Sequence, residues 1–227
     1  MTSESWAGPA LAAVTERVGV IERAVGDRFP LYADPTDGTW TTTGRGAWTG
    51  GFWAGLLWLR ALRTRTTADR RAAAACTARL EPWVGADTVT RGLILWYGTA
   101  LADGAPAACG LGATGRAGTG IETGTGTGSG TGAALLRDRA ARALLADRDP
   151  ALGIVPWGGA FGGPRLLARA DGVPGMVPLL ATVAPDAAAD HLRRHLDLCL
   201  DADVPPRAGA DPEPDPEPEL APGLGPV

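Results

Sequence analysis

The chain has 227 residues, 45% apolar and 20% charged, enough for one domain with a real core. Its 33 glycines and 19 prolines far exceed the usual share, so irregular stretches must lie beside the folded part. Arginine supplies every cation, since lysine is absent. The net charge of −4 argues against a nucleic-acid surface, which would be basic. The cysteines Cys76, Cys109 and Cys199 form no close pair, so neither a disulfide framework nor a zinc site is implied, and a reduced, cytoplasmic setting is expected. No leader is expected at Met1–Glu4, and the apolar run Phe52–Leu59 is too short to span a membrane.

Taken in order, the spacing predicts a first helix over Leu11–Val25, with Leu11, Val14, Val18, Ile21 and Val25 on one face. Asp27–Gly46 reads as a loop rich in Pro, Asp, Gly and Thr. Trp48–Arg63 predicts a second helix, apolar almost all round and therefore buried on more than one side. Thr67–Leu80 predicts a third, with Thr67 as N-cap. Thr88–Leu101 predicts a fourth and Ala133–Ala146 a fifth. Between them, Gly110–Gly132 is a low-complexity insert with almost nothing apolar to bury, expected to be flexible. Asp149–Arg165 is a Gly/Pro loop. Val173–Val183 predicts a sixth helix with a kink at Pro178, and Pro185–Leu200 a seventh, opened by its proline. Leu192, Leu196 and Leu200 step by four along the seventh. From residue 202 to 227 the chain reads as a solvated, acidic, proline-rich tail, leaving residues 6–201 as the folded domain.

Helices with one polar face (first, third, fifth, seventh) alternate with mostly apolar ones (second, fourth, sixth). The expected class is all-α. An α/α toroid requires this order, and an α-solenoid or an ordinary bundle also accommodates it.

Four segments resemble a known family. Trp48-Thr49-Gly50-Gly51-Phe52-Trp53-Ala54-Gly55-Leu56-Leu57-Trp58-Leu59 is similar to the W-T-x-G-F-W-x-G-x-L-W-L motif of the unsaturated glucuronyl hydrolases, glycoside hydrolase family 88, and of related unsaturated rhamnogalacturonyl hydrolases. Gly92–Leu95, the loop Gly153–Gly158 and Asp171–Leu180 resemble further segments of that family, in the same order. The resemblance implies an (α/α)6 barrel, of which this chain holds about seven helices instead of twelve, and so an incomplete toroid. It also implies hydration of the C4–C5 double bond of an unsaturated uronic acid at the end of an oligosaccharide, without metal or organic cofactor. An oligosaccharide is then the expected partner, with neither nucleic acid nor membrane. Apolar faces left open on an unclosed arc predict self-association.

Protonating an enol ether at carbon needs a carboxyl group that keeps its proton near neutral pH. In the resemblance that group is Asp171; local sequence reads it equally as a helix N-cap. The family's His-Asp before the second motif is replaced by Val89 and Thr90, leaving Asp87 as the second candidate carboxylate, or else as a helix cap. Trp48 and Trp157 match aromatics that line the sugar pocket, with a place in the core as the other reading. Arg91 or Arg165 could pair with a substrate carboxylate, although a surface arginine is the expected account of each. His191 and His195 stand four apart, but Arg193 and Arg194 would repel a cation, so a solvated helix face is expected. The glycine repeats follow no strand and lead to no GK[ST], which excludes a phosphate loop. The same chain is also compatible with a catalytically inactive helical domain, a pseudoenzyme or a carbohydrate-binding remnant.

Overall fold

A computed structural model describes residues 6–102 and 130–200. Among them are seven α-helices: α1 (Ala7–Val25), α2 (Gly50–Thr64), α3 (Thr67–Ala78), α4 (Thr90–Thr99), α5 (Gly130–Ala146), α6 (Met176–Ala181) and α7 (Pro185–Cys199). The class is all-α. Residues 103–129, which include most of the insert expected over Gly110–Gly132, and the tail expected from 202 lie outside the described residues, while Gly130–Gly132 form the start of α5.

The loop expected over Asp27–Gly46 contains a hairpin instead. Strand β1 (Phe29–Ala33) pairs antiparallel with β2 (Trp40–Thr43), with Phe29 opposite Thr43 and Ala33 opposite Trp40. The Asp34 carboxylate accepts from the Thr36 N–H at 2.7 Å, that of Asp37 from the Thr39 N–H at 2.8 Å, and Gly38 takes φ +76. Two Asx turns thus close the connection, and the threonines of β2 are β-branched strand formers. Pro30 interrupts the alternation because it cannot donate to the ladder, and the register shifts between Pro30 and Tyr32.

Two other local expectations change. The cap of α3 is Thr66, whose hydroxyl accepts from the Asp69 N–H at 3.1 Å, one residue before the threonine expected to do so. The helix expected over Val173–Val183 shortens to six residues. Gly175, at φ +75, breaks the chain direction, and a separate 3-10 turn, Ala170–Gly172, precedes it. Pro178 then falls in the first turn of α6, where its missing N–H costs nothing, so no kink is required.

The apolar helices form a row in which α4 packs on both α2 and α6. Glycine makes the contact possible. A Cβ on Gly51 would stand 2.2 Å from the Ile94 carbonyl oxygen, one on Gly55 2.7 Å from that of Tyr97, and one on Gly92 2.8 Å from Met176 Cα. Against this row lie α1 and α3 on α2, α5 on α4 and α6, and α7 on α6. Trp53 and Trp58 are buried in the shared core. The Trp58 indole donates to Thr77 Oγ1 at 2.8 Å, and that hydroxyl donates to the Gly98 carbonyl at 2.9 Å. One polar chain therefore ties α2, α3 and α4 together inside an apolar interior, where each of its members needs its partner. Among the described residues no helix is long and apolar enough to cross a membrane.

Candidate functional site

The N-terminal end of α4 meets the long segment that follows α5. Thr88 and Gly158 form an antiparallel bridge, the Val89 N–H donates to the Trp157 carbonyl at 3.3 Å, and the Ala160 N–H donates to the Asp87 carbonyl at 3.0 Å. Gly158 takes φ +82, and a Cβ there would fall 2.0 Å from the Asp87 carbonyl oxygen, so only glycine lets the two segments lie together. The segment folds back on itself: Trp157 N–H donates to the Leu167 carbonyl at 2.9 Å and Gly158 N–H to that of Arg165 at 3.0 Å. Side chains far apart in sequence are thereby brought to one end of the helix row.

Between the segments opens a cleft of about 350 Å³, lined by Asp87, Thr88, Arg91, Asp147, Pro156 and Arg165 among others. Arg91 is 2% exposed, which corrects the surface reading. Its Nη1 donates to the Val84 carbonyl at 2.8 Å, its Nη2 pairs with the Asp147 carboxylate, and its Nε finds no acceptor among the described residues. Asp87 accepts from Arg165 Nε at 2.8 Å, Arg165 Nη2 at 3.2 Å and the Gly159 N–H at 3.1 Å. The Arg165 guanidinium, ahead of the Gly159 N–H, holds the Asp87 carboxyl below the usual range, so it is an anion at neutral pH. Asp87 does not cap α4; Thr88 Oγ1 accepts from the Thr90 N–H at 3.1 Å instead.

The remaining candidates occupy different ground. Trp157 is buried, its indole donates to the Gly162 carbonyl at 2.7 Å, and the Arg169 guanidinium covers its ring at 4.2 Å. That stacking occupies a ring face that a sugar would need. Arg169 Nε in turn stands 3.5 Å from Asp171 Oδ1. Asp171 lies in the 3-10 turn, with its side chain about half exposed; it caps no α-helix. Its neighbour Gly172 packs under Val89, which places this turn beside the end of α4, although Asp171 is not part of the cleft wall. Trp48 is 55% exposed, edge-on to Phe52 at 6.5 Å, and Phe52 lies against Tyr97 at 4.6 Å. These three form a half-exposed aromatic cluster made by the turn before α2, α2 itself and α4.

The histidines depart most from expectation. His191 and His195 do not face solvent: both are fully buried, with ring centroids 4.4 Å apart. The Val155 N–H donates to His191 Nδ1 at 3.4 Å, which leaves Nε2 as the protonated nitrogen, donating to the Gly172 carbonyl at 3.3 Å. Burial first, and then the neighbouring His195, pushes the His191 pKa down to about 4. Burial likewise lowers that of His195, neither of whose ring nitrogens has a hydrogen-bond partner among the described residues. His191 alone clips both ends of the long segment to α7, through Val155 and Gly172. Among the described residues no cluster of three His, Cys, Asp or Glu side chains could hold a metal ion.

The site therefore belongs to an all-α protein whose polar groups gather where one helix end meets a folded-back segment. The chain matches no family model, no curated protein and no solved structure.

Proposed function

We infer that the chain is a glycoside hydrolase-like protein of the unsaturated glucuronyl hydrolase type, and that its helices form part of an α/α toroid. One observation carries this reading: the segments that resemble the family are one another's neighbours. Gly51 of the first motif rests on Ile94 of the second, and Gly92 of the second rests on Met176 of the fourth. Asp87 and Arg91 precede the second of these segments at the N-terminal end of α4, and the fourth brings Asp171 beside that end.

In this reading the substrate is an oligosaccharide ending in a Δ4,5-unsaturated uronic acid. Arg91 and Arg165 offer guanidinium groups to its carboxylate. Asp171, which no guanidinium grips in bidentate fashion, is the proton donor. Its carboxyl proton passes to C4 of the enol ether, water adds its oxygen at C5, and the carboxylate takes up the proton that the water loses. The product is a hemiketal that opens and releases the next sugar. Asp87, held as an anion by Arg165, suits charge placement and not proton donation. The test is to follow loss of the double bond's near-ultraviolet absorbance with unsaturated chondroitin or heparin disaccharides. Decay with the wild type that Asp171→Asn abolishes is expected. No decay with either would overturn the catalytic reading.

A second reading, a carbohydrate-binding domain without catalysis, is favoured by one specific observation. The positions of the family's His-Asp hold Val89 and Thr90, both buried, and Asp87 is already committed to Arg165 and Gly159. Saturable binding of the disaccharides with no loss of absorbance is its signature.

A further inference from the structure

Two arginine–carboxylate pairs share the cleft, and they are built differently. Asp87 is anchored by three hydrogen bonds, two of them from one guanidinium. Asp147 holds Arg91 through a single nitrogen, and its side chain is 58% exposed. Arg91 is the reverse: its side chain is almost wholly buried, fixed by the Val84 carbonyl, and short of an acceptor at Nε. Asp147 also directly follows the last residue of α5, and its N–H donates to the Ala143 carbonyl, closing that helix. The carbonyl end of a helix repels a carboxylate. The cation is thus rigid and dry, whereas its counter-ion is solvated and stands in an unfavourable field.

We propose that Asp147 is a resident stand-in for a ligand carboxylate, and that the cleft binds carboxylate-bearing sugars by exchange at Arg91. The incoming carboxylate accepts from Arg91 in place of Asp147, which turns into solvent with little desolvation to undo. The cleft has room for a sugar ring, and its wall is polar, with Thr88 and the second ion pair beside the exchange point. In the empty cleft the resident carboxylate balances the charge of Arg91, whose position the Val84 carbonyl also fixes. It also sets a threshold, since a neutral sugar cannot displace it. This rests on the acidic-sugar reading above and adds a competing group to it.

The test is titration calorimetry of methyl glucuronide and of methyl glucoside, with the wild-type chain and Asp147→Asn. The asparagine keeps the size and exposure but removes the charge. Expected is about three- to tenfold tighter binding of the glucuronide to Asp147→Asn, with the glucoside equally weak on both proteins. Glucuronide binding that is unchanged or weakened in Asp147→Asn overturns the proposal and leaves the acidic-sugar reading in place. So does loss of the double bond's absorbance by a wild type that binds no glucuronide. Absence of both binding and turnover overturns the two together.

Discussion

Gly51 lies directly beneath the backbone of Ile94, where a Cβ would fall 2.2 Å from the carbonyl oxygen and 2.6 Å from Cα. Both atoms belong to the main chain of α4 and cannot rotate away. Gly51→Ala must therefore part α2 from α4, and overpacking of this kind costs about 3 kcal/mol or more. Thermal unfolding by circular dichroism should show a large drop in Tm, or the variant should fail to accumulate in soluble form. Gly8→Ala, in the first turn of α1 with nothing within 4 Å, should leave Tm unchanged or slightly raised.

Burial of neutral His191 makes stability depend on acidity in a defined direction. Its folded pKa of about 4 lies below the ordinary value of 6.5, so the unfolded chain binds the proton more readily. The contribution is complete above about pH 6.5 and is lost as pH falls towards 4, on the order of 3 kcal/mol in all. His195, also lowered, acts in the same sense, while Arg148 opposes a charge on His191 and Asp171 favours one on His195. Urea midpoints should therefore fall steadily between pH 6.5 and 4.5, and a flat profile would contradict the buried pair.

Thr77 receives the Trp58 indole and donates to the Gly98 carbonyl, all within the core. Thr77→Val keeps the shape and strands both partners. The expected loss is about 2 kcal/mol by urea unfolding, several times what a surface Thr→Val change would give.

The pair between Asp87 and Arg165 is exposed and should add little to global stability. Its role is to pin the segment through the Gly159 N–H. Asp87→Ala should leave the unfolding midpoint nearly unchanged while hydrogen exchange at Gly159 and its neighbours accelerates. Equal protection in both proteins would show that backbone bonds alone hold the segment.

Burial raises the Cys76 thiol to about 12, so almost no thiolate exists at neutral pH. Cys76 should resist iodoacetamide in the folded protein and react on unfolding, whereas exposed Cys199 should react at once, as read by peptide mass spectrometry.

Helix periodicity reports burial only when the buried side chains are apolar, and this chain shows both outcomes. The apolar second and fourth helices were legible because Trp53, Trp58, Ile94 and Leu95 carry the burial directly. On α7 the same logic misleads. Leu196 and Leu200 are exposed, and Ala188, His191 and His195 face inward. A histidine can be buried when it stays neutral and its surroundings accept it, and nothing in the local sequence records what those surroundings are. The charges behave likewise. Arg91 reads from sequence as a surface arginine, because the Val84 carbonyl and Asp147 that hold it lie 7 and 56 residues away in the chain.

The sequence by itself determined an all-α protein, the positions of its helices to within a few residues and the alternation of apolar with half-polar ones, because helix propensity and amphipathic spacing act over a few turns. It also supplied the glycines, and it could not say what each one touches. Only the tertiary structure decided that Gly51, Gly92 and Gly158 are contact points, that α7 turns its histidines inward and that Asp87 and Arg91 share one cleft. Those facts depend on partners dozens of residues away, whose approach is set by close packing and by pairing of buried polar groups, and neither leaves a periodic signal in the chain.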